Sequence, residues 1–173
     1  MRTSVPTSRP SRIGPATADL RLNGAVKQIP ARSHLHLRRG FGWGILTLLD
    51  SPHGLAPDLH DHRFAGSASG MTIVVRHAQD IDTAVLDNLA PDDVVPEAQV
   101  AVQVWMATEP LESSDYSSVL TVTGGRIDIG DGNPWHTLDL PAGTWHAQVT
   151  VSPTDAPEQV EIVLSPLHLL PYG

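Results

Sequence analysis

Between residues 118 and 165 the chain alternates short runs rich in Val, Ile, Leu, Thr and Trp with clusters of turn-forming residues. The runs are 118–123, 126–129, 136–140, 145–151 and 159–164. Between them stand Gly124-Gly125, Gly130-Asp131-Gly132-Asn133-Pro134, Pro141-Ala142-Gly143 and the segment 152–157. β-Branched and aromatic runs this short, punctuated by Gly, Pro, Asn and Asp, reverse direction at each punctuation. The pattern predicts hairpin after hairpin and therefore an antiparallel sheet.

The same reading extends upstream. Residues 20–29 form a weak hairpin pattern turning at Asn23-Gly24, and 33–38 alternate before Arg39-Gly40 turns into 43–49, which reads as a second hairpin. Residues 50–69 carry Pro52, Gly54, Pro57 and Gly66 and read as a long loop holding His60-Asp61-His62. Residues 70–77 are a strand, 78–97 an acidic, proline-punctuated segment with a short helix within 81–89, and 99–106 a strand. In that last strand Val100, Val102 and Val104 share one face and Ala101, Gln103 and Trp105 the other. The expected class is all-β, an antiparallel β-sandwich or partly open barrel of about nine or ten short strands with little helix.

A chain of 173 residues is about one domain. Residues 1–19, made largely of Ser, Thr, Pro and Arg, read as a flexible basic arm, and 20–173 as a single β-sandwich domain. The absence of cysteine excludes disulfides, thiolate metal sites and cysteine nucleophiles. With no apolar run of membrane-spanning length and no secretory leader at the start, the expected location is the cytoplasm.

Charge divides the chain. Residues 1–40 hold eight Arg and Lys against Asp19 alone, a net +7, and residues 41–173 hold three arginines against eighteen carboxylates, a net −15. An acidic body repels phosphates, so nucleic acid is not its expected partner. It steers basic proteins toward itself, or the basic arm of a neighbouring copy in a homo-oligomer. Within the body the carboxylates concentrate at Asp80, Asp82, Asp87, Asp92 and Asp93, which are the expected partner-binding residues.

Catalytic patterns are weak. Gly124-Gly125 and Gly130-Asp131-Gly132 precede no helix that could cradle a phosphate. Asp128, Asp131 and Asn133 imitate the start of a calcium loop whose glycine and distal glutamate are misplaced. No Gly-x-Ser-x-Gly elbow occurs and no serine has an evident base. The chain therefore reads as a non-enzyme without a cofactor. His34 and His36, two apart, read as surface residues of an edge strand. The tryptophans at 43, 105, 135 and 145 read as core or edge packing, with Trp135 next to Pro134 a potential exposed anchor.

Residues 71–166 resemble a group of small β-rich bacterial proteins that includes the inhibitor of the DNA-entry nuclease (competence protein J) and immunity-like proteins. The resemblance lies in the strand 70–76, the acidic segment 80–97, the alternating strand 99–105 and the hairpin 120–129. It continues through the turn Leu140-Pro141-Ala142-Gly143 opening a strand at Thr144-Trp145, and the closing run Glu161-Ile162-Val163-Leu164-Ser165-Pro166. Trp145 and His146 stand where that group has Tyr and Arg, and Ser165-Pro166 where it has Trp-Pro. This resemblance implies an inhibitor or interaction module.

A second resemblance, to cupins, rests on Gly54 followed by His60-Asp61-His62 and on Pro141-Ala142-Gly143-Thr144-Trp145-His146. It implies a three-histidine site for a divalent transition metal at His60, His62 and His146. The glutamate of the first cupin motif would fall at Gly66 or Ser67, leaving Asp58 or Asp61 as substitute oxygen ligands.

Overall fold

The computed structural model describes residues 18–22, 25–29, 32–51, 54–132 and 135–167, with side chains from residue 35 onward. Twelve strands and one short helix follow in the order β1 (Ala18–Leu22), β2 (Ala25–Ile29), β3 (Arg32–Arg39), β4 (Ile45–Asp50), β5 (Phe64–Ser67), β6 (Gly70–Val74), α1 (Thr83–Leu86), β7 (Val100–Met106), β8 (Tyr116–Val122), β9 (Arg126–Gly130), β10 (His136–Asp139), β11 (Gly143–Ser152) and β12 (Gln159–Pro166). The first two strands pair with each other as a hairpin. The rest form two five-stranded sheets, β10-β9-β4-β6-β5 and β3-β7-β12-β11-β8. All pairings are antiparallel except β7 with β12, and the sheets do not close into a barrel. The proposed arm of residues 1–19 lies outside the described residues, apart from Ala18 and Asp19, which begin β1.

Alternation explains the two layers. Val100, Val102 and Val104 of β7, Ala147, Val149 and Val151 of β11, and Val160, Ile162 and Leu164 of β12 point inward from one sheet. They meet Leu46 and Leu48 of β4, Met71 and Ile73 of β6, and Ile127 and Ile129 of β9 from the other. These residues form one contiguous core, which is the dominant stabilising term in a sandwich of this kind.

Turn chemistry marks the reversals correctly but not their geometry. The β9–β10 and β11–β12 turns are hairpins. The turns at Gly124-Gly125 and at Pro141-Ala142-Gly143 instead carry the chain from one sheet to the other. So does the turn from β3 to β4: the expected second hairpin is an arch, with β3 paired to β7 and β4 to β6 and β9. Gly44, at φ +63°, occupies the left-handed conformation this arch requires. The expected loop over 50–69 contains one strand, β5, which pairs only with β6.

The two edges of the sandwich differ. At one, β5 lies against β8: Phe64 stacks on Tyr116 at 5.0 Å between ring centroids, and Thr121 N–H donates to Ala68 O at 2.7 Å. A side chain at Gly66 would bring its Cβ to 2.3 Å from Ser118 Oγ, so glycine is what lets the sheets touch here. Among the described residues the opposite edge, between β3 and β10, is open: the two strands do not pair.

Candidate functional site at the open edge

A cleft of about 820 Å³ occupies the open edge. From the β3 side it is lined by His36, Arg38 and Arg39, from the following arch by Trp43, and from the other sheet by Asp131 and His136. Arg39 follows the inward phase of Leu35 and Leu37 on β3, which carries its guanidinium between the sheets. There it donates to Asp131 Oδ1 at 2.6 Å and lies 5.0 Å from the centre of the Phe41 ring. Its Nε donates to Gly40 O at 3.0 Å. The Asp131 side chain is 4% exposed and that of Arg39 20%, so the ion pair is a desolvated tie across the mouth of the sandwich. Asp131, which imitated a calcium-loop position in the sequence, is held by this arginine.

Trp43 is 77% exposed on the rim and Trp135, beside His136, is 39% exposed. Trp145 is buried in the core and its Nε1–H donates to Pro141 O at 2.9 Å; Trp105 is half-buried in a satellite cluster with Ala107, Leu111 and Val163. Trp43 therefore departs from the expected core or edge packing, and Trp135 is exposed, the alternative its place next to Pro134 offered. His36 is exposed on an edge strand, as expected.

The acidic segment leaves the base of the same cleft, which Glu97 lines. It is an excursion between β6 and β7, pinched at its foot where Ala98 N–H donates to Ala78 O at 2.8 Å. Asp82 caps α1 by accepting from Ala84 N–H at 2.9 Å, Asp93 accepts from Ala90 N–H at 2.8 Å, and Asp80 from His77 N–H at 3.2 Å. Asp87 and Asp92 are exposed on the same excursion. The five aspartates are thus brought onto one exposed element, three of them also holding its backbone turns. Val85, Leu86, Val94 and Val95 are exposed among them, a feature the alternation of the strands gave no reason to look for.

The three histidines of the metal reading are placed on different elements. His60 and His62 are exposed in the loop between β4 and β5, where Asp58 Oδ1 accepts from His60 N–H at 3.0 Å. His146 is half-buried on the outer face of β11, with Ser165 and Val119 as its register partners. Among the described residues, no group of three or more His, Cys, Asp and Glu is arranged to hold a metal ion. Among them, too, no helix is long and apolar enough to cross a membrane.

No family model and no curated protein sequence matches the chain. The chain is similar to two solved structures. Crocagin biosynthetic gene J is 11% identical, with a TM-score of 0.46 over 80% of this chain and 99% of that one. ComJ, the inhibitor of the DNA-degrading activity of NucA from Bacillus subtilis, is 12% identical, with a TM-score of 0.50 over 79% of this chain and 98% of its own. The resemblance carried by the strand and turn pattern of residues 71–166 therefore holds at the level of the fold.

Proposed function

We propose that this chain is a non-enzymatic interaction module of the inhibitor or immunity type, which docks a basic partner protein through the excursion between β6 and β7. The observation that carries this reading is the company the five aspartates keep. Val94 is 91% exposed, Val95 58%, Val85 44% and Leu86 40%, all on the same acidic excursion. Apolar side chains left in water cost free energy that burial against a partner recovers, and a charged surround supplies orientation and long-range attraction. The fold shared with ComJ, which inhibits a nuclease, supports an inhibitory role.

The test adds the chain to NucA in a DNA-degradation assay. Inhibition by the wild-type chain that is lost in Asp87→Lys/Asp92→Lys/Val94→Asp supports the reading. Asp87 caps the C-terminus of α1 through its backbone N–H, which lysine retains, so the excursion keeps its turns. Unchanged degradation at every molar ratio overturns the inhibitor assignment. Such a module works without a cofactor: metal analysis of chain purified without chelator finds no stoichiometric transition metal, and finding one would return attention to His60, His62 and His146.

A further inference from the structure

The outer face of the β3-β7-β12-β11-β8 sheet carries its side chains in rows set by the register. Trp105, Val163 and Gln148 form one row across β7, β12 and β11. It is roofed by the segment between β7 and β8, which packs Ala107 and Leu111 on Val163. That roof is latched to the sheet by Gln148, whose Oε1 accepts from Leu111 N–H at 2.5 Å and whose Nε2 donates to Leu111 O at 3.1 Å.

The next row, Gln103, Glu161 and Thr150, lies beyond the roof. Here a hollow of about 220 Å³ opens between β7 and β12, lined by Ala101, Gln103, Gln159, Val160 and Glu161. Among the described residues, the Glu161 carboxylate makes no ion pair or hydrogen bond, and the Gln103 and Gln159 amides are likewise unpartnered. Thr150 Oγ1 is buried without a partner. On the adjoining strand, His36 stands opposite Gln103 and the cation Arg38 opposite Ala101, one strand further from Glu161.

A half-buried carboxylate without a counter-ion is a standing cost, and its desolvation pushes the Glu161 carboxyl above its ordinary value. An arriving cation converts that cost into attraction. The hollow offers a carboxylate and two amide oxygens to a single visitor. A guanidinium, planar, weakly hydrated and carrying five N–H donors, satisfies such a set better than an ammonium with three. We propose that this hollow is a receptor for an arginine side chain presented by the partner protein. The partner class is taken from the preceding reading; the hollow itself is separate from the acidic excursion.

The experiment titrates N-acetyl-arginine methylamide into the full chain and follows its backbone and glutamine side-chain amide resonances. Saturable shifts at Gln103, Gln159 and Glu161 are expected. The near-isosteric Glu161→Gln variant should weaken binding roughly tenfold or more, because a charge-assisted hydrogen bond is lost. The neutral citrulline analogue should lose affinity to a similar degree. No saturable shift, equal binding by Glu161→Gln, or equal binding of citrulline overturns the receptor. Glu109→Gln, which removes an equal charge at an exposed position outside the hollow and the excursion, should bind the arginine derivative as wild type does, and a loss there overturns the assignment to this hollow. No partner enters the experiment, so its failure is distinguishable from failure of docking through the excursion.

Discussion

Cutting the ion pair at the open edge should reveal an asymmetry between its two ends. In Asp131→Ala, Arg39 keeps Gly40 O, the face of Phe41 and a side chain 20% open to water. That variant should lose about 2 kcal/mol, below the usual cost of orphaning a fully buried charge. In Arg39→Leu the stranded group is a carboxylate only 4% exposed, and the loss should reach roughly 3–5 kcal/mol. With a urea m-value of about 2 kcal/mol/M, the unfolding midpoints should fall by about 1 M and about 2 M respectively. The double variant should lose less than the two losses combined, with a coupling of about 2 kcal/mol. Urea titrations of the four chains, followed by far-UV circular dichroism, measure this directly. Additivity within about 0.5 kcal/mol, or a larger loss from Asp131→Ala than from Arg39→Leu, would refute the picture of a desolvated tie between the sheets.

Other expectations follow from single positions. Burial raises the Glu161 carboxyl above 4.5, so ionising it is harder in the folded chain than in the unfolded one; the resulting penalty is absent below the unfolded value and complete above the folded one. Glu161→Gln should therefore raise Tm near neutral pH, and calorimetry should show the gain shrinking as pH falls toward that range; a pH-independent difference would contradict the assignment. Gly66→Val should destabilise by about 1–3 kcal/mol through its collision with Ser118, and Ser118→Gly should restore part of the loss. Trp43→Ala should leave stability within about 0.5 kcal/mol, because that ring is exposed, while removing the larger share of the long-wavelength, iodide-quenchable tryptophan emission, the rest coming from Trp135.

Much of the sheet content was legible because burial on one face writes period two into the chain. Val100, Val102 and Val104 are the clearest case, and all three are fully buried. Sheet membership was not legible. Gly40, Gly42 and Gly44 mark a turn equally well whether the strands they join pair with each other or with different sheets, and here they make an arch. β5 escaped because Phe64-Ala65-Gly66-Ser67 offers little alternation and is completed by its neighbours β6 and β8. The aspartates of the excursion could be found from charge density alone. Arg39 and Asp131 could not: 92 positions separate them, and no local motif links one to the other. The Glu161 row was hidden for the same reason, since only the parallel β7–β12 register sets Gln103 beside it.

That register also dictates a timetable. β12 occupies the centre of its sheet, between β7 and β11, although it is made after β3, β7, β8 and β11. Until it emerges from the ribosome, β3–β7 and β11–β8 are separate halves, each presenting an unpaired, apolar strand edge to its surroundings. Insertion of one late strand zips both halves at once and closes the core along Val160, Ile162 and Leu164. Such a layout makes folding slow, with the nascent chain most vulnerable to edge-to-edge association until β12 becomes available to pair.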